Sequence, residues 1–142
     1  MQVKDVMSGQ PIAIAPGEPV AAAARLLAQH NIGALPVCSG GQLRGMVTDR
    51  DIVLRCVAAG QDPGQTPVQA VMTRRLITVA PEDPLAIAAQ LMAQEQVRRL
   101  PVIENGKLCG MVSLADLALN DATSIDAADA LTDISGNLSQ RD

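Results

Sequence analysis

The chain has 142 residues, of which 48% are apolar and 18% charged, and its formal net charge at pH 7 is −4. A chain of this size supports one compact unit or two small halves, and its apolar content argues against disorder throughout. The acidic balance argues against a protein whose main task is to neutralise nucleic-acid phosphates or to lie on an anionic membrane.

The chain contains no Phe, Tyr or Trp, so its core must be built from aliphatic side chains. Platforms that stack nucleic-acid bases on aromatic rings are therefore not expected. The first residues show no signal peptide, and no stretch approaches the roughly eighteen apolar residues of a membrane span. The three scattered cysteines form neither a disulfide scaffold nor a CxxC metal site. We expect a cytoplasmic protein.

The two halves of the chain repeat each other at a constant offset of 65 residues. Between residues 3–55 and 68–120, 23 of 53 positions are identical, many of them Gly or Pro, whose backbone geometry is demanding. The two halves therefore share one fold. We place a first repeat at 1–58, a linker rich in Gly, Pro and Gln at 59–67, a second repeat at 68–120 and a tail at 121–142.

Each repeat is predicted to begin with a strand and a helix. The apolar runs Ile12–Ala15 and Leu76–Ala80 each end at a proline, which is typical of a strand that leads into a turn. In Val20–His30 and Leu85–Glu95, Ala, Leu and Met recur at helical spacing directly after a proline. These two segments are therefore predicted to be helices.

A hairpin and a second helix complete each repeat. The predicted hairpin strands are Leu35–Cys38, Leu43–Thr48, Leu100–Glu104 and Lys107–Ser113. Asn105-Gly106 between apolar runs is the strongest short hairpin signal, because both turn residues need positive φ. Final helices begin at Asp49 and Leu114. The order predicts an α+β fold of two βαββα units with mixed three-stranded sheets, packed as a pseudo-twofold pair because one such unit is marginal alone.

The tail carries one further pattern. Ala127, Leu131, Ile134 and Leu138 fall on one helical stripe, and Gly136 could end the helix. This pattern predicts a short amphipathic helix that packs on the module or on a partner subunit.

The junction between the hairpin and the last helix has the same polar pattern in both repeats. A hydroxyl residue, Thr48 or Ser113, is followed three positions later by an acid, Asp51 or Asp116. This spacing is that of a capping box, in which the hydroxyl accepts an unpaired helix N–H. A helix start also presents N–H groups to an anion, and a fixed carboxylate can accept two hydrogen bonds from a vicinal diol such as ribose. The two roles do not exclude each other.

The tandem βαββα unit, the Leu35-Pro36-Val37 and Leu100-Pro101-Val102 strands and the G-x-x-[ST]-x-x-D junctions resemble the CBS domain pair, or Bateman module. The resemblance covers residues 3–120 and points to small stand-alone bacterial CBS proteins of the hypoxic-response type. It implies a non-catalytic regulatory module that binds an adenosyl nucleotide between the repeats, requires no cofactor and acts on a separate protein. It also implies a flat homodimer formed through the helix faces after Asp49 and Leu114.

The same resemblance implies which residues bind the ligand. Asp51 would hold the ribose hydroxyls, with Thr48 near ribose or phosphate and Arg98 and Arg99 at the phosphate. Adenine would lie against Ile12, Ala13, Pro36 and Val37. A second, weaker cleft would use Ser113, Asp116, Ile77, Thr78, Pro101, Val102 and Arg50. The clefts differ because Gly33 and Ala34 stand where the other repeat has Arg98 and Arg99, so the Asp51 cleft is expected to bind more tightly.

Two other functions remain open from the sequence. In one, the clefts are empty and the Ser/Thr-x-x-Asp pairs are only helix caps in a structural interaction module. In the other, Cys56 or Cys109 acts in a thiol or metal sensor, because the repeat places both at positions that admit solvent, whereas Cys38 matches Ile103 and should be a core residue. The single histidine, His30, matches Glu95 and is expected to be exposed, so we predict neither a metal site nor a Ser-His-Asp triad.

Overall fold

The computed structural model describes residues 1–119 in two compact units. One unit is residues 12–76, and the other combines residues 1–11 with the described residues from 77 onwards. These units are offset from the sequence repeats, because the segment that opens each repeat packs within the unit that holds the helices of the other repeat. The predicted tail helix lies outside the described residues.

The elements follow the predicted order. The strands are β1 (Ser8–Gly9), β2 (Ala34–Ser39), β3 (Gln42–Thr48), β4 (Arg99–Glu104) and β5 (Lys107–Ser113). The α-helices are α1 (Val20–His30), α2 (Asp49–Ile52), α3 (Leu85–Glu95) and α4 (Leu114–Ala118), with short 3-10 helices at Val3–Asp5 and Val68–Ala70 and a π-helix at Val53–Val57 directly after α2. The predicted bounds of α1 and α3 are confirmed, as are the starts of α2 and α4. None of these helices is both long enough and apolar enough to cross a bilayer.

The first strand of each repeat is much shorter than predicted. Within the predicted runs only Ile14 and Val79 pair, each through a single parallel bridge, to Val37 and Val102 respectively. Ile14 donates its N–H to the Pro36 carbonyl at 3.0 Å and accepts from Cys38 at 2.9 Å. Two residues later stands Pro16, which has no N–H with which to continue the ladder. The prediction of a strand over the whole run was therefore wrong.

Both hairpins are antiparallel, and their turns have the predicted geometry. Asn105 and Gly106 have φ of 53° and 78°, which suits the tight hairpin turn that the right-handed strand twist favours. The register places Ala34 opposite Thr48, and Arg99 opposite Ser113. The start of one hairpin strand therefore lies beside the end of the other, where the last helix of each repeat begins.

Each unit has its own aliphatic core. In the unit of residues 12–76 the buried side chains come from α1, β2 and β3 and from the segment after the linker, and they include Val20, Leu27, Leu35, Val37, Val47, Val68, Val71 and Met72. The other core mirrors this composition and includes Val3, Leu85, Met92, Leu100, Val102, Val112 and Leu117. Burial of Val71 and Met72 fixes the segment that opens the second repeat.

The linker also completes α1. The N–H groups of Val20 and Ala21, which have no partner inside the helix, donate to the carbonyls of Thr66 at 2.8 Å and Pro63 at 2.9 Å. A helix that begins after a proline thus obtains from the linker the acceptors that its own sequence does not supply. The linker is therefore part of the folded unit.

Gly45 allows a very close approach between β3 and the segment around Thr73. Met46 and Thr73 exchange backbone hydrogen bonds of 2.9 and 2.7 Å. A Cβ added at Gly45 would lie 2.7 Å from the Thr73 carbonyl oxygen and 2.9 Å from the Met72 sulfur. Gly110 meets Ser8 and Met7 in the same way in the other unit. Both glycines are needed because any side chain would separate the two backbones.

We expect Gly45→Ala to lower the free energy of unfolding by about 1–3 kcal/mol, the usual cost of forcing extra atoms into a packed site. Gly17→Ala is the matched control, since a Cβ there meets nothing within 4 Å. Urea titrations followed by far-UV circular dichroism measure both variants. Equal stability of the two would contradict the close contact at Gly45.

Candidate functional site

Both predicted capping boxes are present. At the start of α2, the Thr48 hydroxyl accepts from the Asp51 N–H, and Asp51 Oδ2 accepts from the Thr48 N–H, each at 3.0 Å. At the start of α4, the corresponding distances for Ser113 and Asp116 are 3.1 and 2.8 Å. The structure therefore fixes each carboxylate beside a hydroxyl at the first turn of a helix.

The residue before each hairpin's first strand is held next to the helix start. The Asp49 N–H donates to the Gly33 carbonyl at 3.0 Å, and the Leu114 N–H donates to the Arg98 carbonyl at 2.8 Å. Arg98 and Arg99 are exposed, and neither guanidinium group has a hydrogen-bond or ionic partner within residues 1–119. Within their own unit, Arg98 and Arg99 lie at the same end of the hairpin as the Ser113–Asp116 cap.

Asp51 has a further partner that the sequence analysis missed. The Thr73 hydroxyl lies 3.2 Å from Asp51 Oδ1 and 3.3 Å from Oδ2, and Asp51 is only 8% exposed. Thr73 is 22 residues from Asp51, so no local pattern links them. The signal that could have found it is the repeat itself, because a hydroxyl residue follows Met7 and Met72 in both copies.

The residues expected at the adenine are divided between surface and core. Ile12 and Ala13 are exposed and Ile77 and Thr78 half-buried, whereas Pro36, Val37, Pro101 and Val102 are buried. Val37 and Val102 belong to the two cores, so they support the neighbouring first strand rather than offering surface to a ligand. In each repeat it is therefore the segment before the first helix, Ile12–Ala13 or Ile77–Thr78, that remains accessible.

Ala13 lines a pocket of about 390 Å³ between the segment 13–18 and α1. Its other lining residues are Ile14, Ala15, Glu18, Ala22, Arg25 and Leu26. Thr48 and Asp51 do not line this pocket. The structure therefore brings Thr48 and Asp51 together, and places Ala13 at a separate apolar groove of the same unit. Arg50 lies on the exposed side of α2, in a second shallow pocket with Asp49, Val53 and Leu54.

A protein-family model described as the CBS domain matches residues 3–57 and 68–122. The chain belongs to the CBS domain family. It is 49% identical over 133 residues to the CBS domain-containing protein YhcV of Bacillus subtilis, and this alignment covers 94% of each chain. The resemblance to a tandem CBS pair is thereby confirmed.

Two solved CBS structures are similar to this chain. The crystal structure of Hypoxic Response Protein I with two coordinated zinc ions has a TM-score of 0.79 and 35% identity, and covers 84% of this chain and 98% of that one. The CBS domain pair of MJ0100 in complex with 5-methylthioadenosine and S-adenosyl-L-methionine has a TM-score of 0.74 and 28% identity, with the same coverage. A CBS pair of this fold thus binds adenosyl ligands.

The described part of this CBS pair does not offer a zinc site. Within residues 1–119 no group of three or more His, Cys, Asp or Glu side chains is placed to hold a metal ion. His30 is exposed at the end of α1, as expected from its match to Glu95.

The cysteine environments differ from two of the expectations. Cys56 is fully buried, and its sulfur lies 3.5 Å from the Gln61 carbonyl oxygen, so the expectation that it admits solvent was wrong. Cys56 stands four residues after the buried Ile52, and this spacing places both side chains on the same face of the helical segment that begins with α2. Cys38, expected in the core, is half-buried, as is Cys109.

Neither half-buried thiol is activated. Burial raises the pKa of the Cys38 thiol. Burial, followed by the negative charge of Glu104, raises the pKa of the Cys109 thiol. Because the thiolate is the reactive form, a raised pKa leaves less of it at neutral pH. These environments oppose the thiol-sensor alternative.

We expect all three cysteines to react with iodoacetamide at neutral pH severalfold more slowly in the folded protein than in the urea-unfolded protein, with Cys56 slowest. Mass spectrometry of the labelled peptides gives the rate at each position. The unfolded chain is the control, since it removes burial and leaves the sequence unchanged. A cysteine that reacts faster when folded would restore the thiol-sensor alternative.

Proposed function

We propose that this CBS pair is a non-catalytic regulatory module that binds an adenosyl nucleotide of the AMP, ADP or ATP type and changes its affinity for a separate protein. The observation that carries the proposal is the pair of carboxylates, Asp51 and Asp116, each fixed at a helix start. The adenosyl ligands in the MJ0100 CBS pair support the ligand class. A ligand can shift such a module only through its different affinities for two states.

The capping role does not use all the acceptor positions of either carboxylate. An ionised carboxylate offers about four acceptor positions, and the helix cap uses one of them at Asp51 and at Asp116. The two hydroxyls of a ribose are adjacent donors that one carboxylate can accept together. The same helix start can therefore be capped and bind a sugar.

We propose that the positive charges that bind the ligand's phosphate come from Arg98 and Arg99. Arginine binds phosphate oxygens through its planar set of N–H donors, and these two guanidinium groups are exposed without partners within residues 1–119. The family resemblance assigns them to the ligand of Asp51, so tighter binding at Asp51 than at Asp116 remains a prediction.

We expect Asp51→Ala to weaken adenosyl-nucleotide binding about tenfold or more, because each hydrogen bond to a charged acceptor contributes roughly 1.5–3 kcal/mol. Asp116→Ala is expected to reduce only a weaker second binding event. Isothermal titration calorimetry with AMP, ADP, ATP and S-adenosylmethionine measures both. Since the chain has no aromatic side chain, a 260 nm band in purified protein reports carried-over nucleotide, which must be removed first.

Asp5→Ala is the matched control for loss of a cap. Asp5 Oδ2 accepts from the Gln2 N–H at 2.8 Å with the same three-residue spacing, but Asp5 is outside the proposed site. Affinity that is unchanged in Asp51→Ala, or lost equally in Asp5→Ala, would refute the assignment of Asp51.

The structural-module alternative has one observation in its favour. The carboxylate of Asp51 already accepts from Thr48 and Thr73 and is nearly buried, as expected for a residue that only stabilises the fold. This alternative predicts no heat of binding for any adenosyl ligand. It also predicts that the sole effect of Asp51→Ala is a lower free energy of unfolding.

We propose that the module forms a homodimer through the exposed side of the helix after Asp49. Val53, Leu54 and Val57 are 54%, 49% and 62% exposed, and apolar side chains grouped in this way mark interaction surfaces. The repeat places Leu119, also exposed, at the position equivalent to Leu54. Both copies of the repeat therefore present an apolar residue at this position. In a twofold dimer the same patch of each subunit contacts its partner, so one such patch per chain is enough to form the interface.

We expect the double variant Leu54→Glu, Val57→Glu to sediment as a monomer in analytical ultracentrifugation, because two charges would be buried without partners. Leu76→Glu is the matched control, since Leu76 is also an exposed apolar residue but lies outside the helices. A wild-type monomer, or a variant that sediments as the wild type does, would contradict this interface.

A further inference from the structure

The two capping aspartates are identical in motif but unequal in their partners. Asp51 accepts from the Thr48 N–H and from the Thr73 hydroxyl. Asp116 is half-buried and accepts from the Ser113 N–H alone within the described residues. Ser8 holds the position equivalent to Thr73, yet it is exposed and its hydroxyl makes no bond to Asp116 there. The difference therefore arises outside the motif.

The Thr73 hydroxyl contacts both carboxylate oxygens of Asp51, the two acceptors that a diol would use. It lies at nearly equal distances, 3.2 and 3.3 Å, from the two carboxylate oxygens, and so covers both acceptors with one proton. These distances are longer than the 2.5–3.0 Å of a good O–H···O hydrogen bond. The bond is therefore weak, and two ribose hydroxyls, each donating to one oxygen, would replace it with two shorter ones.

The backbone around Thr73 is fixed, so only the side chain needs to move. Thr73 exchanges two backbone hydrogen bonds with Met46. Arg55 Nη1 donates to the carbonyls of Val71 and Met72, both at 3.2 Å, and Val71 and Met72 are buried. Rotation about the Cα–Cβ bond of Thr73 would carry its hydroxyl away from Asp51 while leaving this framework in place.

We propose that Thr73 is a positioning residue of the Asp51 site, whose hydroxyl satisfies the buried carboxylate in the empty state and is displaced by the diol of a bound ligand. The inference rests on the proposed function at Asp51. Thr73 thereby supplies a donor to Oδ1 of the nearly buried carboxylate, since the Thr48 N–H reaches only Oδ2. It lowers the net affinity because its own hydrogen bond must be broken. Asp116, which has no such hydroxyl, binds a diol without this exchange.

The test compares Thr73→Val with Thr73→Ser in a chain that also carries Asp116→Ala, so that only the Asp51 site is titrated. Valine keeps the branched shape and removes the hydroxyl, whereas serine keeps the hydroxyl. Calorimetry with adenosine should show about two- to tenfold tighter binding for Thr73→Val, the range that loss of one competing hydrogen bond gives. Thr73→Ser should bind as its parent does, and Ser8→Ala should change nothing.

A second ligand separates a positioning role from a merely structural one. With 2′-deoxyadenosine, which lacks one of the two hydroxyls, the increase in affinity caused by Thr73→Val should be smaller than with adenosine. The empty Thr73→Val protein should also unfold at lower urea than its parent, because the carboxylate has lost a donor. A structural effect alone would change the stability and leave the ratio of the two affinities unchanged.

The outcomes distinguish this inference from the proposed function. If the parent binds adenosine and Thr73→Val binds it equally or more weakly, Thr73 is no displaced group and only the inference is overturned. An unchanged ratio of adenosine to 2′-deoxyadenosine affinity would overturn it as well. If the parent binds neither these nucleosides nor AMP, ADP or ATP, the proposed function at Asp51 fails and takes the inference with it.

Discussion

The contact between a glycine and the backbone of a distant segment is the constraint on which each unit depends. At Gly45 the backbones of β3 and the Thr73 segment are so close that a Cβ would meet the Thr73 carbonyl at 2.7 Å. This approach lets Met46 and Thr73 exchange two hydrogen bonds, and it sets the Thr73 hydroxyl on Asp51. Gly110 repeats the contact with Ser8. One missing side chain thus determines both the packing of the segment and the surroundings of the aspartate.

Features of the fold that depend on neighbouring residues could be predicted from the sequence. The bounds of α1 and the φ angles of Asn105 and Gly106 follow from helical spacing and turn chemistry. Features that depend on tertiary pairing could not. The strand over Ile12–Ala15 reduces to a bridge at Ile14 because only that residue reaches β2. The burial of Cys56 was missed because it was judged from its match to Asp121, whereas its spacing of four residues from Ile52 places it on the buried face.

The candidate site divides in the same way. Thr48, Asp51, Ser113 and Asp116 are found from spacing alone, because a capping box is a contact across three residues. Thr73 is not, since its contact with Asp51 spans 22 residues. The compact units follow the same logic, because no local pattern shows that Val68 and Val71 pack in the core of residues 12–76. Periodicity identifies the elements, and long-range contacts decide what surrounds them.

Duplication gave this CBS pair two copies of one carboxylate motif, and the surroundings make them chemically different. A cap needs only one acceptor position, so it is equally well served at Asp51 and Asp116. A diol needs two, and at Asp51 these are already covered by a third residue. The positive charges also differ between the repeats, because Arg98 and Arg99 stand in one repeat where the other has Gly33 and Ala34. Selection on helix stability alone would keep the two motifs alike, whereas partners outside the motif can diverge without loss of the cap. Unequal ligand affinity can therefore arise while both aspartates stay unchanged.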